Sequence, residues 1–257
     1  LGERTYNNFR VYDYVLGNDK FEHTTEVTRD EIEDDQIGVF NDWMTDVGYQ
    51  SEMWPDDLVT TAFTAGTSTI CHDGQYFFDL DHPVDPDRSS TGTQSNILAT
   101  SPLSATTYAQ ARARMMGFKE EDGRTLRVTP NLLVVPPTLE TMAKRIVNTD
   151  LIARVYGSNT AAAAEDNKNV LQGTADVMVW HDLPDTGVEA TCDWYLLDTS
   201  RPLLPFIFQQ RVAPALVPRE NPGDPNVWDR DVFQYGVRAR GNGGYGLWYL
   251  ALKGVAT

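Results

Sequence analysis

"TRDEIEDDQIGVFNDWMTDVGYQSEMWPDDLVTTAFTAG", residues 28–66, is the stretch on which the fold turns. Thr28 and Glu31 have the spacing of a capping box, in which each side chain satisfies a backbone N–H that a helix start leaves orphaned. Ile32, Val39, Phe40, Trp43, Met44 and Val47 then recur at roughly helical spacing. Gly48 weakens the helix, and Pro55 must kink it or begin a second one. Leu58, Val59, Ala62 and Phe63 continue the apolar stripe until Gly66 stops it. The pattern predicts a long, bent, amphipathic helix with one very acidic face, opening with Asp30, Glu31, Glu33, Asp34 and Asp35.

Upstream, residues 6–16 (YNNFRVYDYVL) and 20–28 (KFEHTTEVT) alternate between apolar and polar, the second with Phe21, Thr25 and Val27 on one face. Gly17, Asn18 and Asp19 between them are a turn signal. This predicts a β-hairpin over 6–28 with arms roughly 35 Å long. Its apolar content is thin, and an isolated hairpin is marginal in water, so it should lean on something outside itself. Tyr12, Tyr14 and Phe21 are the aromatic side chains it would lay on a neighbour.

Downstream, residues 71–83 (CHDGQYFFDLDHP) gather Cys71, His72, Asp73, Asp79, Asp81 and His82, all metal-ligand or acid/base side chains. One reading is a metal-dependent hydrolase using His72, Asp73, Asp79, Asp81 and His82. A zinc site, however, needs about four ligands, usually at helical or knuckle spacing, and His72 and His82 do not have it. Asp79, Asp81, Asp85 and Asp87 suggest calcium, but the turn glycine and terminal Glu of an EF-hand are missing. The competing reading is an aromatic-anchored turn. Asp73-Gly74 turns the chain, Tyr76, Phe77 and Phe78 bury, and His82-Pro83 ends the segment. On that reading no metal or cofactor is expected.

The polar, breaker-rich run at 85–95 is the best candidate boundary. Helices are predicted at 104–118, capped by Ser104, and at 138–148, capped by Thr138. A strand running into a proline stop is predicted at 125–137, followed by strands at 175–180, 190–198, 206–212, 232–240 and 245–254. The one biased run is AAAAED, residues 161–166. Hairpin, helices, then strands argue an α+β fold. "GNGGYG", residues 241–246, matches G-x-G-x-x-G literally. The residues after it, LWYLALKG, are strand-like, whereas a dinucleotide site needs a helix there, so the glycines read as a hairpin or bulge. No nucleophile elbow and no P-loop is present.

The 257 residues carry a net charge of −16. It is uneven: −15 over residues 1–100 and −1 over 101–257. A front part this acidic is a poor partner for phosphates. Cys71 and Cys192 stand alone, which suggests a reducing compartment and no disulfide framework. No apolar run approaches the roughly 20 residues of a membrane span. Leu1 is not an initiator Met, pointing to a processed product or the ordered part of a longer chain.

Five stretches in register, TRDEIEDDQIGVF, CHDGQYFFDLDHPV, TPNLLVVPPTLE, WYLLDTSRPLLPFIFQQR and FQYGVRARGNGGYGLWYLALKG, span about residues 26–253. Through them the chain resembles the major head subunit family of Mu-like phages and prophages, whose fold is the Hong Kong 97-type capsid fold. The resemblance implies an extended-loop hairpin at 1–29 and a peripheral domain with a spine helix at 30–95. It further implies an axial domain at 96–232, and strands at 233–257 that complete the peripheral domain and return to the axial domain. It implies a structural, non-enzymatic protein that assembles with itself into hexamers and pentamers of an icosahedral shell around double-stranded DNA. Portal and scaffold proteins, and in some cases a decoration protein, would be its partners, with no membrane involved. Assembly would take place in the host bacterial cytoplasm, and the product would be the virion capsid. Asp30, Glu31, Glu33, Asp34 and Asp35 would face inward. An encapsulin-like compartment shell shares the fold and is the nearest alternative. Lys20 near the hairpin tip does not by itself imply a covalent cross-link.

Overall fold

A computed structural model describes residues 14–35, 38–85, 92–150 and 168–256. The elements run β1 (Asp19–Thr28), α1 (Arg29–Glu33), α2 (Val39–Ala65), β2 (His82–Pro83), β3 (Thr93–Gln94), β4 (Ile97–Leu98), α3 (Ala105–Met116) and β5 (Leu132–Val135). They continue with α4 (Glu140–Val147), β6 (Asp176–Val179), β7 (Trp194–Leu197), β8 (Phe206–Arg219), α5 (Pro225–Arg230), β9 (Val232–Tyr245) and β10 (Ala251–Gly254). The architecture is α+β, as the order of elements predicts. It divides into two compact units, one of residues 16–62 and 207–244, the other of 1–15, 63–206 and 245–257. These cuts differ from the expected ones: 63–95 group with the residues after them, and 207–232 group with the front of the chain.

The first unit is built on a three-stranded sheet in the order β1-β9-β8. β1 places Phe21, Thr25 and Val27 on its covered face, as its alternation predicts. Its partner is not the one expected. Residues 14–18 form no strand, and β1 pairs antiparallel along its whole length with β9, Asp19 opposite Gly241 and Thr28 opposite Val232. Most of the other expected arm, 6–13, lies outside the described residues, as does Tyr12.

The expected single helix is two. The capping box forms as predicted, Glu31 N–H donating to the Thr28 hydroxyl and Thr28 N–H to the Glu31 carboxylate, but α1 lasts only five residues. The Asp35 carboxylate then accepts from the N–H groups of Gly38, Val39 and Phe40 and restarts the chain as α2. Once started, α2 runs 27 residues straight through Gly48 and Pro55. Its Trp54 takes the edges of Phe21 (5.2 Å) and Phe208 (5.5 Å). β9 passes so close to α2 that a Cβ on Gly243 would lie 2.5 Å from the Leu58 carbonyl oxygen. The glycine run of 241–246 therefore serves backbone approach inside a strand, not a turn.

The second unit holds a mixed five-stranded sheet, β4-β10-β7-β5-β6. β5 (LLVV) and β7 (WYLL) are almost wholly buried, the pattern of strands covered on both faces. α3 starts at Ser104 as predicted, with Thr107 completing the cap, and contributes Tyr108, Ala111 and Met115 to the core. α4 differs at its start. Pro136 and Pro137 impose a tight turn, Leu139 takes the cap position, and Thr138 instead donates its N–H and hydroxyl to Asp185. Pro130 and Pro136 bracket β5, so only four residues of the 125–137 stretch are strand. The alanine run of 161–166 lies outside the described residues.

Candidate functional site

The segment 71–83 sits in the second unit. Phe77 and Phe78 are fully buried, and Phe77 stacks on Tyr245 at 4.5 Å. Phe63 and Phe206, stacked at 3.8 Å, complete the cluster. Tyr76, expected to bury with them, is exposed. Gly74, at φ 85°, makes the turn beside Asp73. Asn96, fully buried, ties the segment down: its amide donates to the Phe77 and Trp248 carbonyls and its oxygen accepts the Asp79 N–H.

Of the titratable side chains, the fold brings together Cys71, Asp73 and His82, whose ligand-capable atoms all lie within 4.8 Å of one another. Asp73 is the hub. One carboxylate oxygen accepts from His82 Nδ1 at 2.7 Å, and the other accepts the Cys71 thiol at 3.0 Å and the Gln75 N–H at 3.1 Å. Burial alone would raise its pKa, but the His82 and Cys71 donors outweigh that and hold it at about 2. Burial, with Asp73 beside it, pushes the Cys71 thiol far above its ordinary range. The thiol faces a carboxylate and not the imidazole, so no base is placed to make a nucleophile of it.

The remaining candidates do not converge. Asp79 accepts the N–H groups of Tyr76 and Leu80. Asp81 is exposed, and its hydrogen bond with Asp79 raises its pKa. His72 is lowered by burial. Asp85 is buried, and Asp87 lies outside the described residues. Three donors, one a thiol that resists ionisation, fall short of the four a closed structural metal site takes. The arrangement works as a hydrogen-bonded knot.

The residues expected at a subunit contact also have local partners. Phe21 packs on Trp54, and the Tyr14 hydroxyl accepts the Tyr245 N–H at 3.4 Å. Both are half-buried. Among the acidic candidates, Asp30, Glu33 and Asp34 are exposed, whereas Glu31 and Asp35 cap α1 and α2. Exposed apolar side chains are spread over both units, among them Tyr49 and Met53 on α2, Leu80 in the 71–83 segment, and Val212, Leu216, Val217 and Trp228 on β8 and α5. The sequence marked only 206–212 as strand, whereas β8 runs on to Arg219; Pro214 and Pro218 are the sequence sign that it lies at a sheet edge.

The sequence profile of the family described as Mu-like prophage major head subunit gpT matches residues 1–101, 97–183 and 165–257. The chain belongs to this family. Across its whole length it is 30% identical to the Mu-like prophage FluMu major head subunit of Haemophilus influenzae and 26% identical to the major capsid protein of Escherichia phage Mu. It spans 58% of the length of each. Among solved structures it is similar to a capsid of bacteriophage JBD30 decorated with minor capsid protein trimers, with a TM-score of 0.56 and 24% identity. That match covers 71% of this chain and 80% of the other. The relatives are named as head or capsid subunits. Among the described residues no helix is long and apolar enough to cross a membrane.

Proposed function

We propose that the chain is the shell-building part of a major head subunit, which assembles with itself into an icosahedral head enclosing double-stranded DNA. The observation that carries this is the family match, continuous from residue 1 to 257. The fold is then of the Hong Kong 97 type. The unit of 16–62 and 207–244 corresponds to the peripheral domain with its spine helix α2, and the unit around the five-stranded sheet to the axial domain. The acids of α1 face the packaged genome, where like charge keeps DNA from adhering. Portal and scaffold proteins act during assembly in the host cytoplasm, and a decoration protein binds the finished virion capsid. Tyr14 and Phe21, each with a partner inside its own unit, are not carried forward as intersubunit anchors.

Electron microscopy of the protein expressed at full length tests the proposal. Closed shells or rings of five and six subunits are expected, and a monodisperse monomer at high concentration would sink it. Nuclease-resistant DNA in shells from infected or induced cells separates a phage head from an encapsulin-like compartment.

A further inference from the structure

Leu183, Pro184, Asp193, Tyr195 and Lys253 line a cleft of about 230 Å³ in the second unit. One wall is the segment 183–193, and it is held in shape. The Thr186 and Thr191 hydroxyls bond to each other at 2.6 Å, and the Asp185 carboxylate accepts the N–H groups of Gly187 (2.8 Å) and Thr138 (2.9 Å). The cleft is therefore preformed, and it is smaller than the space a drug-sized ligand takes. Two buried side chains in it have donors to spare. Lys253 on β10 is 10% exposed along its side chain, and its ammonium pairs with Asp193 Oδ2 at 2.9 Å. An ammonium carries three N–H groups, so two remain. Tyr195 on β7 is 2% exposed, its ring packed against Phe63 (5.0 Å) and Phe78 (5.6 Å), with the Lys253 ammonium 5.7 Å from its centroid. The Tyr195 hydroxyl makes no hydrogen bond among the described residues. Burial, with Asp193 near it, pushes this phenol far above its ordinary range, so it stays a donor. Buried donors without acceptors are rare in folded proteins, and each calls for a partner.

What is left unspent selects the ligand. The acceptors of the cleft are engaged: Asp193 Oδ2 holds Lys253, Asp193 Oδ1 accepts the Ala256 N–H at 3.1 Å, and the two threonine hydroxyls hold each other. The donors of Lys253 and Tyr195 are not. A ligand that answers them carries acceptor oxygens, and a negative charge on those oxygens strengthens the bond to the ammonium. Asp193 limits that charge, because a dianion would meet its carboxylate close by. Leu183 and Pro184 offer a short hydrocarbon chain an apolar wall. We infer that this cleft binds a small aliphatic monocarboxylate, its carboxylate held by Lys253 Nζ and the Tyr195 hydroxyl and its chain laid along Leu183 and Pro184. An amine of the same length is refused, since the lysine repels it and the nearby acid is already paired. The inference goes beyond the shell proposal and does not depend on it.

Calorimetric titration of the full-length protein with sodium butyrate at constant ionic strength is the test. The wild type should bind one butyrate per chain, saturably, and n-butylamine should give no heat beyond that of dilution. Tyr195→Phe removes only a hydroxyl that bonds to nothing described, so its melting temperature should stay with the wild type while its affinity for butyrate falls at least fivefold. Lys253→Met keeps the buried stem, removes the charge and should weaken butyrate at least twentyfold. Should Lys253→Met fail to fold, Tyr195→Phe alone decides. No saturable binding by the wild type, undiminished binding by Tyr195→Phe, or butylamine binding as tightly as butyrate would each overturn the inference. Inorganic phosphate binding more tightly than butyrate would assign the cleft to a different class of anion and overturn it as well. None of these outcomes bears on shell assembly, which electron microscopy tests separately.

Discussion

His82 lies face to face on Trp248, the ring centroids 4.0 Å apart and the planes within 5° of parallel, while its Nδ1 holds Asp73. A fully buried imidazole thus joins the acidic 71–83 segment to the chain just ahead of β10. Asp73→Asn keeps the shape and removes the charge that both donors address. It should lower unfolding stability by about 2 kcal/mol at neutral pH, the size of a charged hydrogen bond in a buried site. The pH profile gives a second signature. Asp73 sits at about 2 in the folded protein against an ordinary 3.8, so its contribution is complete above about pH 4 and disappears as pH falls towards 2. Denaturant melts from pH 5 to 2 should show the wild type losing more stability across that window than Asp73→Asn; parallel curves would refute the assignment.

Cys71 should be chemically silent. With its thiolate disfavoured by burial and by Asp73, native protein at pH 8 should not react with maleimide until denaturant is added. Elemental analysis should find no stoichiometric zinc or calcium, and His72→Ala with His82→Ala should change stability without changing metal content. A metal at one per chain that vanishes in the double variant would replace the knot with a metal centre.

Phe21→Ala tests whether β1 belongs to its own unit. The ring packs edge-on against Trp54, and losing a half-buried aromatic of this kind costs about 2 kcal/mol. The melting temperature should drop, and the molecules that remain folded should still form shells. A stable variant that cannot assemble would restore Phe21 to the subunit contact.

Replacing Asp30, Glu33 and Asp34 by Lys leaves the capping carboxylates of Glu31 and Asp35 in place. If α1 faces the genome, empty shells of this variant should bind DNA more tightly, and added salt should weaken that binding steeply. Unchanged binding would put α1 elsewhere on the shell.

Local signals were legible in the sequence where the physics is local. The Thr28–Glu31 box and the Ser104 cap form because a helix start needs only a side chain three residues away. The buried runs LLVV and WYLL announce themselves by composition. What failed depends on distant residues. β1 pairs with a strand some two hundred residues on, a partner its own neighbourhood cannot reveal. Pro55 allowed either a kinked helix or a second start, and α2 continues through it as one helix. At 71–83 the residue types were legible and their roles were not. Cys71, Asp73 and His82 resemble a catalytic or metal set until the geometry shows both donors spent on one carboxylate.

β9 is the middle strand of one sheet, and β10, a few residues later, lies between β4 and β7 in the other. Residues 232–254 are therefore a keystone laid late for both units. On the ribosome, β1, α2 and the whole of β5 to β7 emerge first and must wait, with their sheets open, for these twenty-three residues to clear the exit tunnel. A nascent subunit is thus kept incompetent until synthesis of this part of the chain is almost done. If the chain builds a shell as proposed, that delay leaves half-made chains on one polysome with no finished surface with which to join.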